Sequence, residues 1–395
     1  MRNYRLSRAK KLMNEEGIDV LITWEPWNLR YIAGVYVPMS ARWASRDFLV
    51  LPKDGEPYVF ASTSYSAEGM RQDMPWLSGR VWPAPPGGKT VTNIAGLKPF
   101  MDLIGGIMAE NGISKGTVAL DGCPNYFLYE NMISGKGFSV VDGAFTLFRA
   151  RTIKNSDEVA CVRLACYQAD AAFDVIKNAI RPGIRENELQ ARAMEKLYEL
   201  GADETMDFVV ASGPRVNPLH IDYTDRIVRP GDYVVVDING NSFQGYKSCY
   251  YRTFICGTAT DEQKEGYEVA RKMMYDGMAQ MKAGNTTADV LNAWPKGPEF
   301  WGYNDRKMLG GLALAHGVGL SLHDYPMFGL GGPSETEKAV KFEEGMTIAI
   351  ETYFGDRDHD RRGFGTRLEE VIAITADGYE LLTKYPVENI IECPL

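Results

Sequence analysis

Along the first 150 residues, apolar positions switch repeatedly between a helical and a strand-like spacing. Leu6 to Glu16 places them on one face of an amphipathic helix, and Ile18 to Thr23 compresses them into a strand. Phe48-Leu49-Val50-Leu51 is a second strand, closed by the turn Pro52-Lys53-Asp54-Gly55. This alternation predicts a small α/β domain over residues 1–150. The connection from Trp24 to Arg46 is crowded with aromatic residues and arginines, among them Trp27, Arg42, Trp43 and Arg46. Its simplest reading is a partly buried loop with solvated arginines. Its functional reading is a rim whose guanidinium groups clamp a substrate carboxylate.

The pattern changes at Arg151-Thr152-Ile153-Lys154-Asn155-Ser156-Asp157-Glu158. Ser156 is a candidate cap for a long helix with two acids in its first turn. From here the spacing predicts helices over about 157–180, 186–200, 261–282 and 287–298. Between them it predicts strands near 207–212, 233–238, 247–256, 347–352 and 366–375. Apolar strands this far apart, several carrying an acid, predict one curved antiparallel sheet with helices outside it, in a second domain over 151–395. The fold class is α/β (α+β).

Composition narrows the function. The chain has 395 residues, of which 45% are hydrophobic and 24% charged, values of a globular protein. A net charge of −9 argues against a nucleic-acid partner. Neither an apolar signal core nor a membrane-length apolar run is present, so no membrane is expected and the expected location is cytoplasmic. Cys123, Cys161, Cys166, Cys249, Cys256 and Cys393 lack the close pairing of zinc knuckles and read mostly as small buried residues.

The candidate chemistry lies in the second half. Asp237 closes the run Tyr233-Val234-Val235-Val236, and Cys249 follows twelve residues later. His316 stands in His316-Gly317-Val318-Gly319-Leu320-Ser321-Leu322-His323-Asp324-Tyr325-Pro326. Glu351 ends an Ile348-Ala349-Ile350 run and Glu369 lies beside Leu368 and Val371, where a buried charge requires a partner. This order resembles the pita-bread superfamily of creatinase, prolidase, aminopeptidase P and methionine aminopeptidase. There, Asp, Asp, His, Glu and Glu hold two metal ions, and the histidine segment reads H-G-x-G-x-x-x-H-E-x-P. Three departures stand out: Cys249 takes the place of the bridging aspartate, Asp324 that of the glutamate, and Thr352-Tyr353 that of a proline and glycine after Glu351.

The resemblance implies a creatinase/prolidase-type N-terminal domain, a catalytic pita-bread domain and a homodimer. It implies metal ligation by Asp237, Cys249, His316, Glu351 and Glu369. It also implies catalytic roles for His220, His323, Asp237 and Glu351, with His220 as proton donor, a task suited to imidazole. Arg42, Arg46, Tyr251 and Arg367 are candidate substrate-binding residues. One thiolate in place of a bridging carboxylate suits a single zinc or iron ion better than manganese or a two-metal site. Metal-free catalysis, as in creatinase, is the other option.

Three functions follow. The first is a creatinase-like hydrolase or lyase opening a C–N or related bond in a small carboxylated, nitrogen-bearing metabolite. Dimethylsulfoniopropionate lyases are similar at residues 211–215 and 379–386, but their catalytic acid position is Leu322 here. The second is a metal-dependent Xaa-Pro dipeptidase or aminopeptidase. The third is a binding protein without activity, which the clustered buried acids disfavour.

Overall fold

The computed structural model describes all residues except 36–46, 78, 86–93, 124, 135, 206–207, 333–337 and 357–362, together with the side chains of 94–97, 128 and 132. Arg42, Trp43 and Arg46 lie outside the described residues. The chain divides into two compact units, Met1–Arg151 and Thr152–Leu395. No helix among the described residues is long and apolar enough to cross a membrane.

In the first unit the helix Arg2–Glu15 begins four residues before its apolar pattern does, and it buries Arg5, Ala9, Leu12 and Met13 at helical spacing. Six strands form one mixed sheet: β1 (Val20–Thr23), β2 (Phe48–Pro52), β3 (Tyr58–Ala61), β4 (Val81–Pro83), β5 (Gly116–Asp121) and β6 (Phe138–Asp142), in the order β4-β3-β2-β1-β5-β6. Trp24 is a core residue, packed against Phe48, Phe100 and Tyr129.

The second unit opens with the helix Ser156–Ala179. Its cap is Asn155, one residue before the expected Ser156: the Asn155 side chain accepts from the Glu158 N–H at 3.0 Å while the Glu158 carboxylate accepts from the Asn155 N–H at 2.9 Å. The helix Asp261–Met278 is fixed in the same way by Thr260 and Gln263, and it packs on the two longest strands. The next helix stops at Ala293, well short of 298, because Pro295 disfavours a helical Trp294.

The strands form two main ladders rather than one continuous sheet. With a short hairpin of β9 (Ser242–Phe243) and β10 (Tyr246–Lys247) set apart, β7 (Val209–Ser212), β8 (Tyr233–Asp237), β11 (Tyr251–Cys256) and β17 (Ile391–Cys393) run in the order β17-β11-β8-β7. The other ladder takes β12 (Ala313–Gly317), β13 (Asp324–Gly329), β14 (Thr347–Gly355), β15 (Gly365–Ile374) and β16 (Tyr379–Leu381) in the order β13-β12-β14-β15-β16. Side chains join the two. Thr253 donates from its hydroxyl to the Arg367 carbonyl at 2.8 Å and accepts from the Arg367 N–H at 3.1 Å. Arg252, fully buried, donates to the Glu369 carbonyl at 2.7 Å and to Glu370 Oε1 at 2.9 Å.

Candidate metal and catalytic site

Each ladder supplies part of one polar cluster. Asp237 ends β8 directly opposite Tyr251 of β11, and the connection between these strands, which carries the β9–β10 hairpin, delivers Cys249 just before β11. His316 comes from β12, a strand absent from the expected set. Glu351 and Glu369 are cross-strand partners in β14 and β15. These side chains are buried, and Asp237, His316 and Glu369 are wholly inaccessible to solvent.

Three donor atoms converge. Cys249 Sγ lies 3.3 Å from Glu369 Oε1 and 3.7 Å from His316 Nε2, and His316 Nε2 lies 3.6 Å from Glu369 Oε1. A tetrahedral zinc ion with a Zn–S bond of about 2.3 Å and Zn–N or Zn–O bonds of about 2.0–2.1 Å separates its ligands by roughly 3.3–3.6 Å. The observed triangle therefore has the size such an ion requires. His316 Nδ1 sits 2.9 Å from the Gly317 carbonyl. A carbonyl only accepts, so Nδ1 carries the proton and the Nε2 lone pair faces the sulfur and the carboxylate. Burial lowers the His316 pKa and so favours this neutral form.

The cluster rejects negative charge unless a cation joins it. Burial, followed by the carboxylates of Glu369 and Glu351, raises Asp237 well above the usual range. Burial and Glu351 do the same to Glu369, and burial and Glu369 to the Cys249 thiol. Both Asp237 oxygens and Glu369 Oε2 lack a hydrogen-bond partner of acceptable geometry among the described residues. The Tyr251 hydroxyl beside Asp237 opposes the rise only in part. Orphaned oxygens next to a sulfur, nitrogen and oxygen triangle fit one divalent ion, and the soft thiolate favours zinc or iron over manganese.

Glu351 is differently engaged. Arg367 Nε donates to its Oε2 at 2.7 Å, Arg367 Nη2 reaches the same oxygen, and Nη1 donates to the Gly311 carbonyl at 2.8 Å. The guanidinium also lies over the Tyr251 ring, 5.1 Å from its centre. Glu351 is thus bound to a cation already and stands apart from the three-donor group. His323 is exposed, with its ring edge-on to His316 at 4.4 Å between centres. His220 is half-buried on the loop after β7 and outside the three-donor group.

Other features had little sequence signal. The Cys249 thiol donates to Asn239 Oδ1 at 2.8 Å, a contact that the neutrality of Asn239 concealed. Glu370 and Arg252 support the backbone of Glu369 from the opposite side of β15; the adjacent Glu369-Glu370 pair was the available clue, since alternation puts one acid on each face. Two glycines of the histidine segment make room for neighbouring protein atoms. A Cβ on Gly317 would stand 2.5 Å from the Tyr325 carbonyl oxygen, and one on Gly319 would stand 3.0 Å from both Asp324 Oδ2 and Lys154 Cε. Asp324 and Lys154 form a buried ion pair at 4.0 Å.

A two-unit protein whose second unit buries metal-type donors on facing ladders is a hydrolase of the pita-bread class. The chain belongs to metallopeptidase family M24, which it matches over residues 160–376, and it matches the creatinase/prolidase N-terminal domain over residues 5–137. It is 26% identical to a Xaa-Pro dipeptidase of Pyrococcus furiosus across 96% of this chain and 97% of that one. It is 31% identical to the uncharacterized peptidase YqhT of Bacillus subtilis across 71% of this chain and 73% of that one. Among solved structures, a prolidase from Thermococcus sibiricus superposes with a TM-score of 0.78 at 21% identity, covering 99% of each chain.

Proposed function

We propose that this protein is a metal-dependent Xaa-Pro dipeptidase working with one divalent ion held by Cys249, His316 and Glu369, with Asp237 alongside. This replaces the creatinase-like reading, which rested on the loss of the bridging carboxylate. The convergence of three unlike donor atoms within 3.3–3.7 Å carries the proposal. The full-length similarity to a Xaa-Pro dipeptidase supports the substrate class.

A divalent ion bound there supplies Lewis acidity toward the oxygen of the scissile amide. The chain's own groups do the rest. The Glu351 carboxylate, held in place by Arg367, accepts the proton of the attacking water. The remaining donors of Arg367, steadied over Tyr251, meet the carboxylate of a short substrate. His323 and His220 deliver a proton to the departing nitrogen. Burial of the cluster excludes bulk water and strengthens each of these interactions.

The test is hydrolysis of Xaa-Pro dipeptides against matched dipeptides without proline, with metal content measured on the same sample. Activity that disappears with a chelator and returns with zinc or iron supports the proposal. Full activity in metal-free protein would restore creatinase-like chemistry, and no preference for proline would remove the substrate assignment.

A further inference from the structure

Glu186 opens the helix Glu186–Glu199 and is wholly inaccessible to solvent. Its carboxylate holds the segment that leaves β7 and carries His220. Oε1 accepts from the Ser212 N–H at 2.8 Å and from the Ser212 hydroxyl at 2.7 Å. Oε2 accepts from the Thr224 N–H at 2.9 Å and from the Thr224 hydroxyl at 2.7 Å. Arg215 Nε lies 3.2 Å from the same oxygen. One side chain therefore closes the segment 212–224 at both ends, with two donors on each of its oxygens.

Between those ends the chain doubles back along β7. The Asp222 carbonyl accepts from the Val210 N–H at 3.2 Å, and Val210 follows Val209, the register partner of Asp237. The return leg thus directs His220 toward the end of the sheet where Asp237 stands. The His220 N–H donates to the Arg215 carbonyl at 2.9 Å. The outgoing leg is tied to the other ladder, because the Tyr353 hydroxyl donates to the Val216 carbonyl at 2.7 Å and Tyr353 is the cross-strand partner of Arg367, which holds Glu351. Ile221 and Tyr223, on either side of Asp222, are exposed. Apolar packing does little for this leg, and its polar anchors matter more.

We propose that Glu186 is a positioning residue for His220: it holds both ends of the 212–224 segment and so fixes the imidazole for proton transfer. The proposal rests on the dipeptidase reading, in which His220 serves the departing nitrogen. Glu186 acts through the segment alone and stands outside the three-donor group. Glu186→Gln keeps the shape but opens one end of the clamp. An amide nitrogen only donates, so the backbone N–H of Ser212 or of Thr224 loses its acceptor.

The experiment compares zinc-loaded wild type, Glu186→Gln, Thr224→Val, His220→Ala and the double variant of Glu186→Gln with His220→Ala. It measures kcat and KM on Ala-Pro, and backbone hydrogen exchange of residues 213–224 without substrate. Glu186→Gln should speed that exchange by about tenfold or more and lower kcat by about tenfold or more, with KM within about threefold and metal content at the wild-type value. Thr224→Val removes one of the four hydrogen bonds and guards against misfolding; it should change both measurements in the same direction by less. The double variant should lose no more than about twofold in kcat beyond His220→Ala, because the clamp has no imidazole left to place. Losses in kcat that multiply in the double variant overturn the positioning role, and so does unchanged exchange in Glu186→Gln. A His220→Ala variant with wild-type kcat overturns the proposal together with the role of His220. A wild type that cleaves no Ala-Pro, while Glu186→Gln still speeds exchange, overturns the dipeptidase reading alone, since the clamp is read without substrate.

Discussion

Glu351 and Glu369 face each other directly across the β14–β15 ladder, both buried, with a cation on only one of them. Arg367 neutralises Glu351, whereas Glu369 turns one oxygen to Cys249 and His316 and leaves Oε2 without a hydrogen-bond partner among the described residues. Like charges directly opposite destabilise a ladder. The pair therefore marks where the fold expects a second positive charge.

Loading with metal should stabilise the protein. At one hundred times the dissociation constant, an ion that binds only the folded state adds about 2.7 kcal/mol, or roughly 5–10 °C in Tm for a domain of this size. Calorimetry with and without zinc checks this. Glu369→Gln should lose most of the rise, and an equal rise in that variant removes Glu369 from the ligand set.

The proposed ligand set makes Cys249 the residue expected to set metal choice. Cys249→Asp should lower zinc preference and raise manganese content, because a carboxylate is harder than a thiolate. It should also raise the total number of bound ions toward two. Elemental analysis after growth in defined metals reads both, and no change in metal ratio or number counts against the assignment of that position.

Arg367 is expected to matter twice. Arg367→Ala leaves the buried Glu351 uncompensated and should cost about 3–5 kcal/mol. Arg367→Lys keeps the charge but not the fork, so it should keep more stability and still raise KM by about tenfold or more. Urea denaturation and steady-state kinetics separate the two effects.

Arg252 and Glu370 should behave as one unit. Arg252→Met alone leaves Glu370 buried without its cation, at about 3–5 kcal/mol, whereas Arg252→Met with Glu370→Leu should regain most of that loss. A double-mutant cycle by urea denaturation gives the coupling. Independent, additive losses would show that the pair is not a unit.

In the proposed mechanism His220 and His323 act on protons rather than on metal. Alanine at either should lower kcat by about 10²–10⁴ while metal content stays at the wild-type value. Loss of metal in either variant would place that imidazole among the ligands.

Some of the site was legible because its residues carry local signals. The Tyr233–Asp237 run, with an acid ending four apolar or aromatic residues, reads as a strand ending in a functional group, and so it folds. The histidine segment is dense enough in glycine and imidazole to stand out, although its strand was hidden by the same glycines. Tyr353 was marked only as a departure from the family pattern after Glu351, and Asn239 gave no signal, since a neutral amide beside a glycine is ordinary in sequence. Their importance lies in contacts with Val216, Asn217 and Cys249.

The sequence by itself determined the alternation of strands and helices, the buried character of the acids and the identity of the donor atoms, because these follow from side-chain chemistry and local spacing. Tertiary structure alone decided that the strands form two ladders, that Arg367 attaches to Glu351 and leaves Glu369 to Cys249 and His316, and that the Tyr353 hydroxyl reaches the Val216 carbonyl. Those outcomes depend on cross-strand register and on a few ångströms of separation between residues more than a hundred positions apart, such as Cys249 and Glu369. A shift of one residue in register would turn every one of these side chains to the opposite face.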